Sequence, residues 1–172
     1  MRMQLAALLA ALGCLAGASP AHAAPADFPD LEQFPAVDPT GYQVFGAHPS
    51  TSGWVFRTPA GVRCQDSLIP DLGIVCWGPL AGTDATMVSV SLTHEAMFSV
   101  SPIGAAESEP PLLPAGSRLD AGNGVVCAVA AADALACRAA KPASWPADTV
   151  DPPDRHYDEH GFVVGPTSSR GY

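Results

Sequence analysis

The chain has 172 residues, with 17 acidic against 8 basic side chains and a formal net charge of −9. Such a surface repels phosphate backbones and anionic lipid, so neither nucleic acid nor an anionic membrane surface is an expected partner. Its 18 prolines and 16 glycines argue against long helices and for short strands joined by turns.

Residues 1–23 read as a secretory signal peptide. Arg2 supplies the positive start, Leu5–Leu15 an apolar run, and Ala21-His22-Ala23 an A-x-A cleavage site, so the mature chain is predicted to begin at Ala24. The run is too short to span a bilayer as a helix, and no later stretch is long or apolar enough to do so. Cleavage removes Arg2 and none of the acids, which makes the mature chain one unit more acidic. Cys14 lies inside this leader. It offers an alternative as the acylation site of a membrane-anchored lipoprotein, although Ala11 stands where a typical lipobox has Leu.

Residues 24–36 hold prolines and acids without a period and are expected to form a flexible lead-in. A single β-rich domain is expected over 37–165. Pro49–Gly53 is a turn cluster, after which Trp54–Arg57 and Val62–Cys64 read as a hairpin around Thr58-Pro59-Ala60-Gly61. Gly73–Trp77 is a third strand. Thr86–Leu92 alternates, with Val88, Val90 and Leu92 on one face and Ser89 and Ser91 on the other. Met97–Val100 reads as an extension of this strand after an irregular link, and Ser101–Pro114 as a long loop. Gly124–Val129 and Ala134–Arg138 form the next pair, Ala139–Asp154 a loop, Gly161–Gly165 a final strand, and 166–172 a loose C-terminal tail.

The four mature cysteines, Cys64, Cys76, Cys127 and Cys137, allow three pairings. Local pairing, Cys64–Cys76 and Cys127–Cys137, fits hairpin geometry, where facing Cβ atoms lie close enough to bridge. Zinc sites bring cysteines in C-x₂₋₄-C pairs, a spacing absent here, and an exported chain favours disulfides. An internal echo agrees. Gly61-Val62-Arg63-Cys64 then Ile74-Val75-Cys76 recurs as Gly124-Val125-Val126-Cys127 then Leu135-Ala136-Cys137. Residues two apart in a strand share a face, so each bridge should lie in an apolar face. The fold class is therefore all-β: a small disulfide-stapled antiparallel sheet, sandwich or barrel-like domain built from two hairpin-like cysteine units.

Four segments together carry a resemblance. They are Phe56-Arg57-Thr58-Pro59-Ala60-Gly61 before the first cysteine, Gly73–Leu80, Gly122–Cys127, and His160-Gly161-Phe162 near the end. The chain is similar, from about Tyr42 to Phe162, to the uncharacterised small secreted proteins of mycobacteria and related actinobacteria. Ala60 stands where their turn carries a polar residue, and Asp133-Ala134 where a Gly-containing turn is usual. The resemblance implies export and a fold, and no reaction.

Chemistry-bearing motifs are sparse. His156-Tyr157-Asp158-Glu159-His160 is the densest set of potential ligands, and His156 and His160 would share a face only in a helix. Pro152-Pro153 and Gly161 disfavour that helix, and H-E-x-x-H is absent, so no metal and no cofactor are expected. No G-x-S-x-G elbow, P-loop or G-x-G-x-x-G occurs. Gly161 is expected to turn the chain sharply at positive φ. Trp54 and Trp77 flank the first cysteine loop and form a possible binding surface, with Trp77 on the face opposite Cys76. These features point to a non-enzymatic exported binding module whose partner is an envelope component or another exported protein. The alternative is an envelope hydrolase using an unidentified His/carboxylate site.

Overall fold

The computed structural model describes residues 24–102 and 109–172. The signal-peptide and Cys14 expectations, and the centre of the 101–114 loop, lie outside them. Among the described residues eleven strands build two antiparallel sheets. The first sheet is a six-stranded meander of β1 (Gln43–Val44), β2 (Gly53–Arg57), β3 (Arg63–Ser67), β4 (Ile74–Trp77), β5 (Met87–Val90) and β6 (Met97–Ser99). The second is a five-stranded meander of β7 (Ser117–Asp120), β8 (Val125–Ala131), β9 (Ala134–Ala139), β10 (His160–Val164) and β11 (Ser169–Gly171).

The two sheets repeat one plan. Strands β3 and β4 are joined by Cys64–Cys76, and β8 and β9 by Cys127–Cys137. In each case the half-cystines are direct register partners, with Cα atoms 4.0 and 4.1 Å apart, the close spacing of a non-hydrogen-bonded pair. The row through the first bridge runs Phe56, Cys64, Cys76, Val88, Phe98. The row through the second runs Leu119, Cys127, Cys137, Phe162, Gly171. The glycine three residues before the leading cysteine adopts a left-handed φ in both units, 84° at Gly61 and 99° at Gly124. A side chain would strain both positions.

One core lies between the sheets. Phe56, Cys64, Ile74, Cys76 and Val88 from the first pack in one buried cluster with Leu119, Cys127, Val129, Cys137 and Phe162 from the second. Phe56 and Phe162 are fully buried. Burying a side chain of that size stabilises by about 1.5–3 kcal/mol before entropy is counted. The strict inward alternation follows from the two-residue period of a strand. It places both disulfides inside the apolar layer, as the sequence echo implies.

Several segments differ from the sequence expectation. The lead-in is folded: a 3₁₀ turn at Leu31–Gln33 buries Leu31 against the outer face of the second sheet. The tail is folded too. Strand β11 pairs with β10, and Tyr172 exchanges two backbone hydrogen bonds with Gly161, at 3.1 and 2.9 Å. Gly161 lies within β10 and is not among the positive-φ glycines, so it does not make the sharp turn. Strand β5 ends at Val90, which leaves Ser91 buried and its hydroxyl accepting from Thr93 N–H at 3.2 Å. Met97–Ser99 is a separate strand paired back on β5.

Candidate functional site

With Cys64, Cys76 and Val88 facing inward, their strand neighbours must face outward. The outer face of the first sheet therefore carries two cross-strand rows. One runs Arg57, Arg63, Trp77, Met87, Ser99; the other runs Val55, Gln65, Val75, Ser89, Met97. Nine of these ten residues are half-buried, and Met97 is 58% exposed. Leu72, Val75, Ser89 and Met97 line a groove of about 280 Å³ on this face.

The outer face of the second sheet is different. Phe28, Leu31 and Phe34 of the lead-in pack on Val126, Ala128, Ala136 and Val163 there. Glu32 reaches Arg118 at 2.9 Å and Arg138 at 3.5 Å, and Asp27 reaches Arg170 at 2.8 Å. Thus the chain covers one outer face with its own amino-terminal segment.

The arginines of the open face are not alike. Arg57 meets Glu109 at 3.1 Å, and the edge of its strand is capped by Pro111 and Leu113 through backbone bonds of 2.9 and 2.8 Å. Among the described residues, Arg63 alone of the basic side chains has no carboxylate partner. It stands in register between Arg57 and Trp77. Like charges directly opposite across strands repel, and a bound anion would relieve that repulsion.

The two candidate tryptophans separate. Trp77 lies on the open face, whereas Trp54 is buried in the core and contributes packing. Arg63, Val75, Met87 and Met97 join Trp77 on this face, and none of them belongs to a motif that marks a site in the sequence. The signal was available: each falls out of phase with the inward cysteines and aliphatic residues once the strand pairing is known.

The histidine segment is placed elsewhere. Residues 140–159 form a loop around Asp151 that meets Asp71 and Leu92 beside the first sheet. The Asp151 carboxyl is held below its ordinary range chiefly by the Lys141 ammonium at 2.9 Å, with help from the Tyr157 N–H and the His156 ring. His156 Nδ1 lies 2.6 Å from Asp151 and its Nε2 3.3 Å from Asp158. His160 opens β10 instead of sharing a helical face with His156. Among the described residues no group of three or more His, Cys, Asp or Glu is arranged to hold a metal.

A cleft beside this loop is lined by Asp71, Thr93, His94, Arg155 and His156. His94 Nδ1 lies 2.8 Å from the Thr93 hydroxyl and 3.4 Å from that of Ser91. The Asp71 carboxylate is taken by Arg155, with the Tyr157 hydroxyl 3.5 Å away. A hydrolytic relay needs a ring nitrogen on the nucleophile and its other nitrogen on an orienting acid. Both nitrogens of His156 face carboxylates, and no carboxylate orients His94 among the described residues.

No family model, known relative or solved structure matches the chain. The two disulfides are compatible with an extracellular protein. Among the described residues no helix is long and apolar enough to cross a membrane.

Proposed function

We propose that the chain is an exported, non-catalytic binding module of the cell envelope or extracellular space, of the same kind as the small secreted actinobacterial proteins its motifs resemble. It engages its partner, an envelope component or another exported protein, through the outer face of the first sheet. The observation that carries this reading is the contrast between the two sheets. One outer face is covered by the lead-in, while the other leaves Val75, Trp77, Met87 and Met97 around Arg63, which has no carboxylate partner among the described residues. Exposed apolar groups clustered on one face mark contact sites, and Trp, Met and Arg are the residue types enriched in them. Export is supported by the leader pattern in residues 1–23 together with the disulfides.

Affinity capture from envelope and culture-fluid fractions tests this, with the native chain and Trp77→Ser as baits. A species identified by mass spectrometry that the native chain retains and Trp77→Ser releases, at matched melting temperatures, supports the assignment. Equal retention by both places binding elsewhere and overturns it. The mass of the mature amino terminus decides export chemistry: free Ala24 supports cleavage, and acylated Cys14 replaces it with membrane anchoring.

A further inference from the structure

We infer that the partner of the open face is a polypeptide bearing a short acidic segment with apolar anchors at every third residue, of the kind this chain lays on its own second sheet. This rests on the proposed role of that face and names the chemistry of its occupant. The internal repeat makes the two outer faces comparable position by position. Arg63 precedes Cys64 as Val126 precedes Cys127, and Trp77 follows Cys76 as Arg138 follows Cys137. Arg63 pairs with Trp77 across β3 and β4, and Val126 with Arg138 across β8 and β9. Each face therefore carries a cross-strand couple of one arginine and one apolar residue, Trp77 on the first sheet and Val126 on the second, with the members exchanged.

On the second sheet that couple is satisfied. Val126 is covered by the cluster of Phe28, Leu31 and Phe34, and Arg138 is met by Glu32. The three anchors recur at a spacing of three, which suits an extended or 3₁₀ segment that turns once every three residues. The acid immediately follows the middle anchor. On the first sheet the apolar member, Trp77, is half-exposed, and the cationic member, Arg63, has no acid among the described residues. The groove lined by Leu72, Val75, Ser89 and Met97 supplies a seat for an apolar anchor beside it. Charge and shape both call for what Glu32 and its flanking residues supply on the other side.

The test uses the full mature chain and a synthetic peptide of residues 24–36, added in trans and followed by amide and indole chemical shifts. The expected result is saturable shifts at Arg63, Val75 and the Trp77 indole. Arg63→Glu should weaken binding at least tenfold and Arg63→Gln by less, and a peptide carrying Glu32→Lys should lose it. Far-ultraviolet spectra and melts confirm that each variant is folded. Shifts confined to Val126 and Ala136 would mean that the peptide only exchanges with the resident lead-in, and overturn the inference. So would an absence of binding at millimolar peptide, or concentration-dependent self-association through Trp77 that the peptide does not compete. If the peptide fails while Trp77-dependent capture of another species persists, the segment chemistry is wrong and the binding face stands. If both fail, both fall.

Discussion

The ring of Tyr172 rests on Gly161. A Cβ built at Gly161 would lie 2.7 Å from Cε1 and 2.8 Å from Cζ and Oη of that ring. The same ring meets Phe28 edge-on, with centroids 5.1 Å apart, so the last residue joins the carboxyl-terminal strand to the amino-terminal segment. An aromatic side chain across a strand glycine replaces the packing that the missing Cβ forgoes. Gly161→Val is expected to expel Tyr172 and lower stability by about 1–3 kcal/mol, the usual range for an overpacked site. In a chain that already carries Tyr172→Ala the same substitution should cost much less. Melts of the two single variants and the double variant read the coupling; additive losses would refute the contact.

The disulfides give the second prediction. Cys127→Ser should cost about 2–5 kcal/mol and leave Cys137 as a thiol in the apolar layer. Non-reducing peptide mapping of the native chain should return Cys64 with Cys76 and Cys127 with Cys137. A fragment linking Cys64 to either cysteine of the second unit would contradict the structure. An unchanged melting temperature for the serine variant would show that the bridge does not stabilise the native state.

What could be read without coordinates was what strand periodicity and cysteine spacing encode. Val62, Cys64, Ile74 and Cys76, and their echoes Val125, Cys127, Leu135 and Cys137, all face the core. Segments whose order comes from distant contacts were hidden. Nothing local marks Leu31 or Tyr172 as ordered, because Leu31 is fixed by Val126, Ala128 and Ala136 and Tyr172 by Gly161. Strand β7 was missed because Ser-Arg-Leu-Asp holds a single apolar residue, Leu119, although its alternation is regular. Periodicity sets Trp77 on the face opposite Cys76 and leaves open whether solvent or a second layer meets it. That Arg63 has no carboxylate partner among the described residues follows only from the placement of the other strands and loops.

The lead-in supplies a third prediction. Leu31→Ala should destabilise by about 2–5 kcal/mol, as buried Leu truncations do. Glu32→Gln, at an exposed ion pair, should cost less than about 1 kcal/mol. Increased binding of an apolar dye by Leu31→Ala would report uncovering of the second sheet. A Leu31 variant as stable as the native chain would show that the segment is detached in solution.

The closing segment of the fold separates packing from metal chemistry. Phe162→Ala is expected to cost about 3–5 kcal/mol because the ring is fully buried beside Cys137. His160→Ala should cost far less. Neither zinc nor a chelator should move the melting temperature. A zinc-dependent rise abolished by His160→Ala would restore a ligand role for the histidine segment.

Asp66 ties the sheets together and sets a pH dependence. Its side chain belongs to β3 and is 3% exposed. Asn123, in the turn before β8, places Nδ2 3.0 and 2.9 Å from the two carboxylate oxygens and 2.9 Å from the Ser67 carbonyl. Burial raises the Asp66 carboxyl well above its ordinary value, and the Asn123 amide and the Ser67 N–H offset only part of that. The folded chain therefore holds this proton more tightly than the unfolded chain does. The group's contribution is fully present below the unfolded value of about 4 and is lost as pH rises through the folded value. Across that window the loss runs at up to about 1.4 kcal/mol per pH unit. Other carboxyls, Asp151 among them, are held low and act in the opposite direction. The isolating measurement is the difference between the native chain and Asp66→Asn in urea melts from pH 4 to pH 8. That difference should move in favour of Asp66→Asn as pH rises. Asn123→Ala, which strips the buried carboxylate of its main donor, should be most destabilising at the alkaline end and milder near pH 4. Parallel profiles for all three chains would show that Asp66 titrates normally and is open to solvent.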